Sequence, residues 1–322
     1  MPLWAGIDEA GYGPKLGPLV VAGAAFHLDG RPAEGVLWER LRDAVCRNLS
    51  GSDGRVVVND SKQVYTPSRG LKALEEGVLS FLRAALDHRG ERADHLLELL
   101  TGGRGDSGPE APWCAPARSL PLPLESNPSA VASKADLLRR ALNSNGTRLA
   151  AVRAAVVQPA EFNQVVSYTH NKSLLLFQKC GLLLRELWDT AGAGESHVVV
   201  DRHGGRIHYR RLLRDVWSDC GCDVVAEKPK HSTYRVRDGD RTLTVTFLEG
   251  ADERVMPAAL ASMMAKYVRE IYMHAFNRFW AERVDGLRPT AGYGRDAGRF
   301  LKDIEPVLQS GEWDLKALVR GR

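Results

Sequence analysis

Short apolar runs and helically spaced apolar stripes divide this chain into recognisable pieces. Leu3–Asp8 and Leu19–Phe26 are apolar runs on either side of Gly11-Tyr12-Gly13-Pro14. They predict two strands joined by a glycine-rich turn, as a hairpin or an adjacent pair. Over 35–50 (Val36, Leu37, Leu41, Val45) and 70–88 (Leu71, Leu74, Val78, Leu79, Leu82) apolar positions recur at helical spacing, and Ser68 is placed to cap the second helix. Between about 101 and 130 the chain turns Gly-, Pro- and Ser-rich, with Thr101-Gly102-Gly103-Arg104-Gly105-Asp106 and Pro121-Leu122-Pro123. That composition predicts a loop or mobile insertion. Residues 150–157, His197–Asp201 and Leu243–Leu248 read as buried strands, and 171–190 as a long helix. From Pro257 to Phe279 a further helix carries a stripe of small residues, Ala258, Ala261, Ser262 and Ala265, that permits close approach to a neighbour. Strands alternating with helices predict an α/β fold built on one central mixed sheet flanked by helices.

Composition adds limits. Of 322 residues, 44% are hydrophobic and 26% charged, the balance of a globular protein, and the length leaves one or two domains open. The net charge of +4 suits a polyanionic partner without requiring one. Met1–Asp8 holds no basic region followed by an apolar run, and no stretch of eighteen apolar residues occurs, so a cytoplasmic protein with no membrane partner is expected. Cys46, Cys114, Cys180, Cys220 and Cys222 are odd in number and irregularly spaced, against a disulfide framework. Cys220 and Cys222 with His231 lack the second pair that a zinc site needs.

The chemistry lies in the acids. Asp8 and Asp201 end apolar strands, where α/β sheets keep reactive groups. Glu9 would point away from Asp8 in an extended strand, but the turn at Gly11 and Gly13 lets it curl back. Glu270 follows Lys266 by one helical turn and Ser262 by two, on the same side. Gathered carboxylates repel unless a cation neutralises them, and hard oxygen donors select Mg²⁺ or Mn²⁺. Two such ions can drive phosphodiester hydrolysis. Any one of these acids taken alone is more often a helix cap or a surface charge than a catalytic group.

The opening Gly6-Ile7-Asp8-Glu9-Ala10-Gly11-Tyr12-Gly13-Pro14-Lys15-Leu16-Gly17-Pro18-Leu19-Val20-Val21 closely resembles the signature of ribonuclease HII. Asn59-Asp60-Ser61-Lys62, Val199-Val200-Asp201, the stretch from Ala261 to Glu270, and Gly292-Tyr293-Gly294 resemble further motifs of that family in the same order. The resemblance spans about residues 4 to 300. It implies a ribonuclease H-like catalytic domain over 1–300, with 90–148 as an unmatched insertion and 300–322 as a C-terminal helical extension. It also implies an endonuclease that cuts the RNA strand of RNA–DNA hybrids, or at ribonucleotides embedded in duplex DNA. Two Mg²⁺ or Mn²⁺ ions would be held by Asp8, Glu9, Asp201 and Glu270. The turn Gly11, Tyr12 and Gly13 would read the ribose 2′-hydroxyl through its backbone, Ser61 and Lys62 would hold phosphate, Lys266 would join the substrate-binding set, and Tyr293 would stack on the sugar. A monomer is expected.

The chain also departs from the family. Tyr12 stands where ribonuclease HII usually has Arg, which removes a cation from the substrate side. Glu270 stands where the fourth acid is usually Asp, as in ribonuclease HIII, and Arg295 and Gly298 replace the usual Thr and His. These changes keep two alternatives open, a catalytically silent nucleic-acid-binding protein of the same fold and a nuclease retargeted to other structured substrates. The segment from Asn163 to Leu184, with Lys172 at a helix start, reads either as a phosphate-binding surface or as a capped helix whose Leu174, Leu175, Phe177 and Leu182 pack inward. Lys228-Pro229-Lys230-His231 and Tyr234-Arg235-Val236-Arg237 read as a solvated charge run.

Overall fold

The computed structural model describes residues 3–28, 30, 32–50, 53–88, 91–104, 110–311 and 313–321. Strands β1 (Leu3–Ala10) and β2 (Leu19–Leu28) pair antiparallel, with Leu3 opposite His27 and Ala10 opposite Val20. Every residue of β2 is buried, as befits a strand covered on both faces. The stretch 35–50 is not the helix its spacing predicts. Only α1 (Val36–Arg40) forms, and the chain then turns into β3 (Val45–Cys46), parallel to β4 (Val56–Val57). Leu37, Trp38 and Leu41 are already buried by that short helix, and β-branched Val45 is better placed in the ladder opposite Val56.

Helices α2 (Ser61–Val64) and α3 (Lys72–Leu86) follow. Ser68 does not cap α3: its hydroxyl lies 3.1 Å from that of Thr66, while the Leu71 amide donates to Glu125 Oε2 at 2.5 Å. The Gly-, Pro- and Ser-rich region is also corrected. It is flanked by α4 (Ala93–Thr101) and α6 (Pro128–Ser144), contains α5 (Cys114–Arg118), and buries Trp113, Cys114, Ala117, Leu120 and Leu122. Residues 105–109, including part of the glycine-rich run, lie outside the described residues. Trp113 meets Phe276 edge-on with ring centroids 4.9 Å apart. A second anchor is Glu75, fully buried on α3. Its carboxylate accepts from the amides of Leu124 at 2.5 Å and of Glu125 and Ser126 at 2.8 Å, and from the Tyr267 hydroxyl at 2.8 Å.

The chain continues through β5 (Thr147–Val157), α7 (Pro159–Thr169), α8 (Lys172–Asp189), β6 (Gly194–Asp201) and α9 (Arg210–Val216). The supposed charge run is a hairpin of β7 (Gly221–Lys228) and β8 (His231–Asp238), in which Tyr234 and Val236 are buried between outward-facing Arg235 and Arg237. β9 (Arg241–Leu248), α10 (Ala251–Arg254) and the long α11 (Met256–Ala281) lead to α12 (Gly294–Asp303), α13 (Glu305–Ser310) and α14 (Leu315–Leu318).

Seven strands form one mixed sheet in the order β5-β2-β1-β6-β9-β8-β7. The central β1, β6 and β9 run parallel, and the outer pairs are antiparallel. Leu3, Ala5 and Ile7 of β1 face the α8 side with Leu176, Leu183, Val198 and Val200. The alternate residues Trp4, Gly6 and Asp8 therefore face α11. A Cβ at Gly6 would fall on the backbone of Pro257 and Ala258. Glycine in the strand and small residues in the helix thus let α11 lie directly on β1. Among the described residues no helix is long and apolar enough to cross a membrane, and all five cysteines are free.

Candidate active site

Because β1, β6 and β9 are parallel, their C-terminal ends share one edge of the sheet, and the acids collect there. Ile7 lies opposite Val200, so Asp8 and Asp201 are the next neighbours along the two strands. Carboxylate oxygens of Asp8, Glu9 and Asp201 lie within 4.8 Å of one another. The Glu9 carboxylate reaches this group although β1 stays paired through Ala10, and the Glu9 backbone amide donates to Asp8 Oδ1 at 2.7 Å. Asp201 Oδ1 accepts from the Ala251 amide at 3.1 Å, just after Gly250, whose φ of 67° suits the sharp exit from β9. That turn delivers Asp252, buried beside the same group.

Asp252 is the functional candidate that sequence reasoning missed, and Glu270 lies outside the carboxylate group. Lys266 Nζ donates to one Glu270 oxygen at 2.5 Å, and the Tyr65 hydroxyl donates to the other at 3.1 Å. Ser262 is the α11 residue that hydrogen-bonds Asp8, and eight further residues of helix carry Glu270 about 12 Å along the axis. The same strand-end argument that singles out Asp8 and Asp201 points to Asp252. It follows β9 by a glycine turn, and β9 is the neighbour of β6.

Burial, together with repulsion from Glu9, Asp201 and Asp252, holds the Asp8 carboxyl well above its ordinary range. Burial and Asp201 push Glu9 up to about 8, and burial raises Asp201. Burial, Asp60 and Asp201 push Asp252 up to about 7, and Asp252 also shares a hydrogen bond with Asp60. Lys62 lowers Glu9, Asp201 and Asp252, but its side chain is largely exposed, with Nζ 3.9 Å from Asp60 Oδ1. The group is a buried array of hard oxygen donors short of positive charge, which fits divalent cations.

A cleft of about 620 Å³ is lined by Asp8, Glu9, Asp201 and Asp252 and by every predicted substrate residue: Gly11, Tyr12, Gly13, Ser61, Lys62, Lys266 and Tyr293. Glu270 is not on its wall. Gly11 has φ 84°, and a Cβ there would meet the Pro18 carbonyl at 2.6 Å. Ser61 and Ser262 hydroxyls are 3.1 Å apart, and Lys266 Nζ sits 4.6 Å from the Tyr65 ring centroid. Tyr293 is 47% exposed, with the Arg269 guanidinium 5.8 Å from its ring centroid. A cation stands on the Tyr12 ring, since Lys172 Nζ lies 4.8 Å from the ring centroid. Lys172 opens α8, which Asn171 caps by accepting from the Ser173 and Leu174 amides at 3.0 and 3.2 Å. Cys220 and Cys222 take part in no metal-ligand group among the described residues.

Fold and site together define an α/β protein with an acidic cleft at the C-terminal edge of three parallel strands. Among solved structures the chain is similar to ribonuclease HII of Archaeoglobus fulgidus in complex with PCNA, at 16% identity and a TM-score of 0.46, over 99% of this chain and 94% of that one. It is similar to ribonuclease H2 of Pyrococcus horikoshii OT3 at 18% identity and a TM-score of 0.47, over 99% and 92% of the two chains. Bst-RNase HIII in complex with Mn²⁺ matches at 15% identity and a TM-score of 0.46, over 99% and 66%. No family model matches the chain, and no curated protein matches it.

Proposed function

We propose that this chain is a divalent-metal-dependent endonuclease of the ribonuclease HII kind, hydrolysing the RNA strand of RNA–DNA hybrids or DNA strands at embedded ribonucleotides. The observation that carries this reading is the meeting of Asp8, Glu9, Asp201 and Asp252 in one cleft with the glycine turn and Tyr293. Asp8, Glu9 and Asp201 would hold the cations, with Asp252 as the fourth carboxylate in place of Glu270. Mg²⁺ or Mn²⁺ bound there supplies activation of water and neutralisation of charge on the leaving oxygen.

The chain's own residues do the rest. Ser61 and Lys62 at the rim take a backbone phosphate, and the exposed ring of Tyr293 offers a face to the sugar beside the cut. The backbone of Gly11–Gly13 lies close enough to the cleft to meet a ribose 2′-hydroxyl, the group that separates RNA from DNA. Lys172 on the Tyr12 ring places a cation beside that turn, where it can attract the substrate backbone. Water attack on the phosphorus would leave a 5′-phosphate and a 3′-hydroxyl.

The test is cleavage of three labelled duplexes in Mg²⁺, Mn²⁺ or EDTA: a continuous RNA–DNA hybrid, DNA with one ribonucleotide, and DNA alone. Metal-dependent cutting confined to ribonucleotide-containing strands is expected. Cutting of all-DNA duplex would show a retargeted nuclease, and hybrid binding without cutting would show a silent one.

A further inference from the structure

The C-terminal segment returns across the molecule to the glycine turn. Asn163 on α7 grips it from one side, donating through Nδ2 to the carbonyls of Lys316 and Val319, both at 2.8 Å, and accepting from the Gly321 amide at 2.6 Å. On the other side Val319 bridges Leu16, and the Arg320 amide donates to the Lys15 carbonyl at 2.9 Å. Lys15 in turn donates its amide to the Gly292 carbonyl at 2.8 Å, next to Tyr293. The loop that walls the cleft is thus held between the tyrosine segment and the chain's end.

The Arg320 side chain goes further than this backbone contact requires. Only 4% of it is exposed. Nη1 donates to the Gly11 carbonyl at 2.6 Å and Nη2 to the Pro18 carbonyl at 3.3 Å. Beside it the buried Arg269 donates to the carbonyls of Pro18, Leu16 and Ala291. Burial and the neighbouring Arg269 bring the Arg320 guanidinium down to about 9. Among the described residues neither guanidinium forms an ion pair with a carboxylate. Keeping two such cations together in the interior costs free energy, offset by the carbonyls of one loop and its neighbour and by the rings of Phe162, 5.1 Å from Arg320, and Tyr293, beside Arg269. In a planar trans peptide the carbonyl and the following amide point opposite ways. With the Gly11 carbonyl drawn inward to Arg320, the Tyr12 amide is turned outward.

We propose that Arg320 is a positioning residue: by fixing the Gly11 carbonyl it presents the Tyr12 amide to the ribose of a bound ribonucleotide, which makes the segment 315–321 part of the device that distinguishes RNA from DNA. This rests on the nuclease reading above. The geometry also explains why Gly11 must be glycine, since a Cβ there would meet the Pro18 carbonyl and, at 2.9 Å, Arg269 Cδ.

The experiment compares the unaltered 322-residue chain with Arg320→Ala and Arg320→Lys in three measurements. These are hydrogen exchange at the amides of 11–18, binding of a single-ribonucleotide duplex against all-DNA duplex in Ca²⁺, and Mn²⁺ titration. Losing a charged hydrogen bond should speed exchange at 11–18 and reduce the ribonucleotide preference by about tenfold or more, with Mn²⁺ affinity unchanged. Arg320→Lys, which can still donate to one carbonyl, should recover part of both. Unchanged exchange in Arg320→Ala, or faster exchange with the preference intact, overturns the proposal. A fall in Mn²⁺ affinity that parallels the other losses would show general damage and overturn it as well. If the unaltered protein itself prefers no ribonucleotide, the nuclease reading fails and the ribose role with it. If it does and Arg320→Ala behaves identically, the clamp alone fails.

Discussion

Removing divalent metal should make the protein's stability fall as pH rises, because Asp8, Glu9, Asp201 and Asp252 all have raised carboxyls, and Glu9 shows how one of them contributes. Its carboxyl moves from an ordinary value of 4.5 to about 8 in the folded chain, chiefly through burial and the Asp201 charge. A carboxyl with a raised folded pKa favours the native state fully below pH 4.5, where it is protonated in both states, and loses that advantage as pH climbs towards 8. Each pH unit inside that window is worth up to about 1.4 kcal/mol for one proton. From pH 5.5 to 7.5, discounting for the partial exposure of Glu9, the loss is about 2 kcal/mol, or about 3 °C in Tm. Thermal unfolding followed by circular dichroism in EDTA, on wild type and Glu9→Gln, reads this contribution together with the relief that losing the Glu9 charge gives Asp8. Saturating Mn²⁺ should reverse the sign, since metal and proton compete for the same oxygens and binding strengthens as pH rises. Equal pH dependence of wild type and Glu9→Gln in EDTA would refute the reasoning.

Asp252→Asn should reduce metal-dependent cutting by about a hundredfold or more, whereas Glu270→Gln, which disturbs only the contacts to Lys266 and Tyr65, should stay within about tenfold of wild type in the same steady-state assay. The reverse order would restore Glu270 as the fourth ligand. Gly6→Ala should destabilise the fold by about 3 kcal/mol in denaturant unfolding, because the new methyl meets backbone rather than a movable side chain. Tyr293→Ala should slow cutting at an isolated ribonucleotide more than cutting within a long RNA stretch, as compared by kcat/KM on the two substrates.

The central strands were legible because they are apolar runs long enough to be covered on both faces, and the acids at their ends could be read with them. Asp8, Glu9 and Asp201 follow from that logic, and Asp252 was within its reach. Glu270 attracted attention instead because it shares a helix face with Lys266 and Ser262, yet a face does not say how far along the axis a neighbour sits. The hairpin of β7 and β8 was hidden because arginines occupy the outward positions of β8, although Tyr234 and Val236 alternate with them as a strand requires. The helix expected over 35–50 failed for the opposite reason, since so few apolar positions fit helix or strand alike. Glycine and proline content marked 101–130 as loop, and composition cannot show that Trp113 packs on Phe276 or that Glu75 binds three amides of the returning chain. Arg320 could not be read at all, because its partners are backbone carbonyls some three hundred residues earlier.

The Glu75 carboxylate ties three parts of the chain that are distant in sequence: α3 on which it sits, the segment 124–126, and Tyr267 on the helix that carries Ser262 and Lys266. Withdrawing Glu75 strands the donors of the other two, and opening either of those leaves the buried carboxylate short of partners, so local fraying there is penalised and the three should melt in a single cooperative step. The segment 124–126 is therefore a buttress, and a lesion far from the cleft at Glu75 would reach the acids through the loosening of α11.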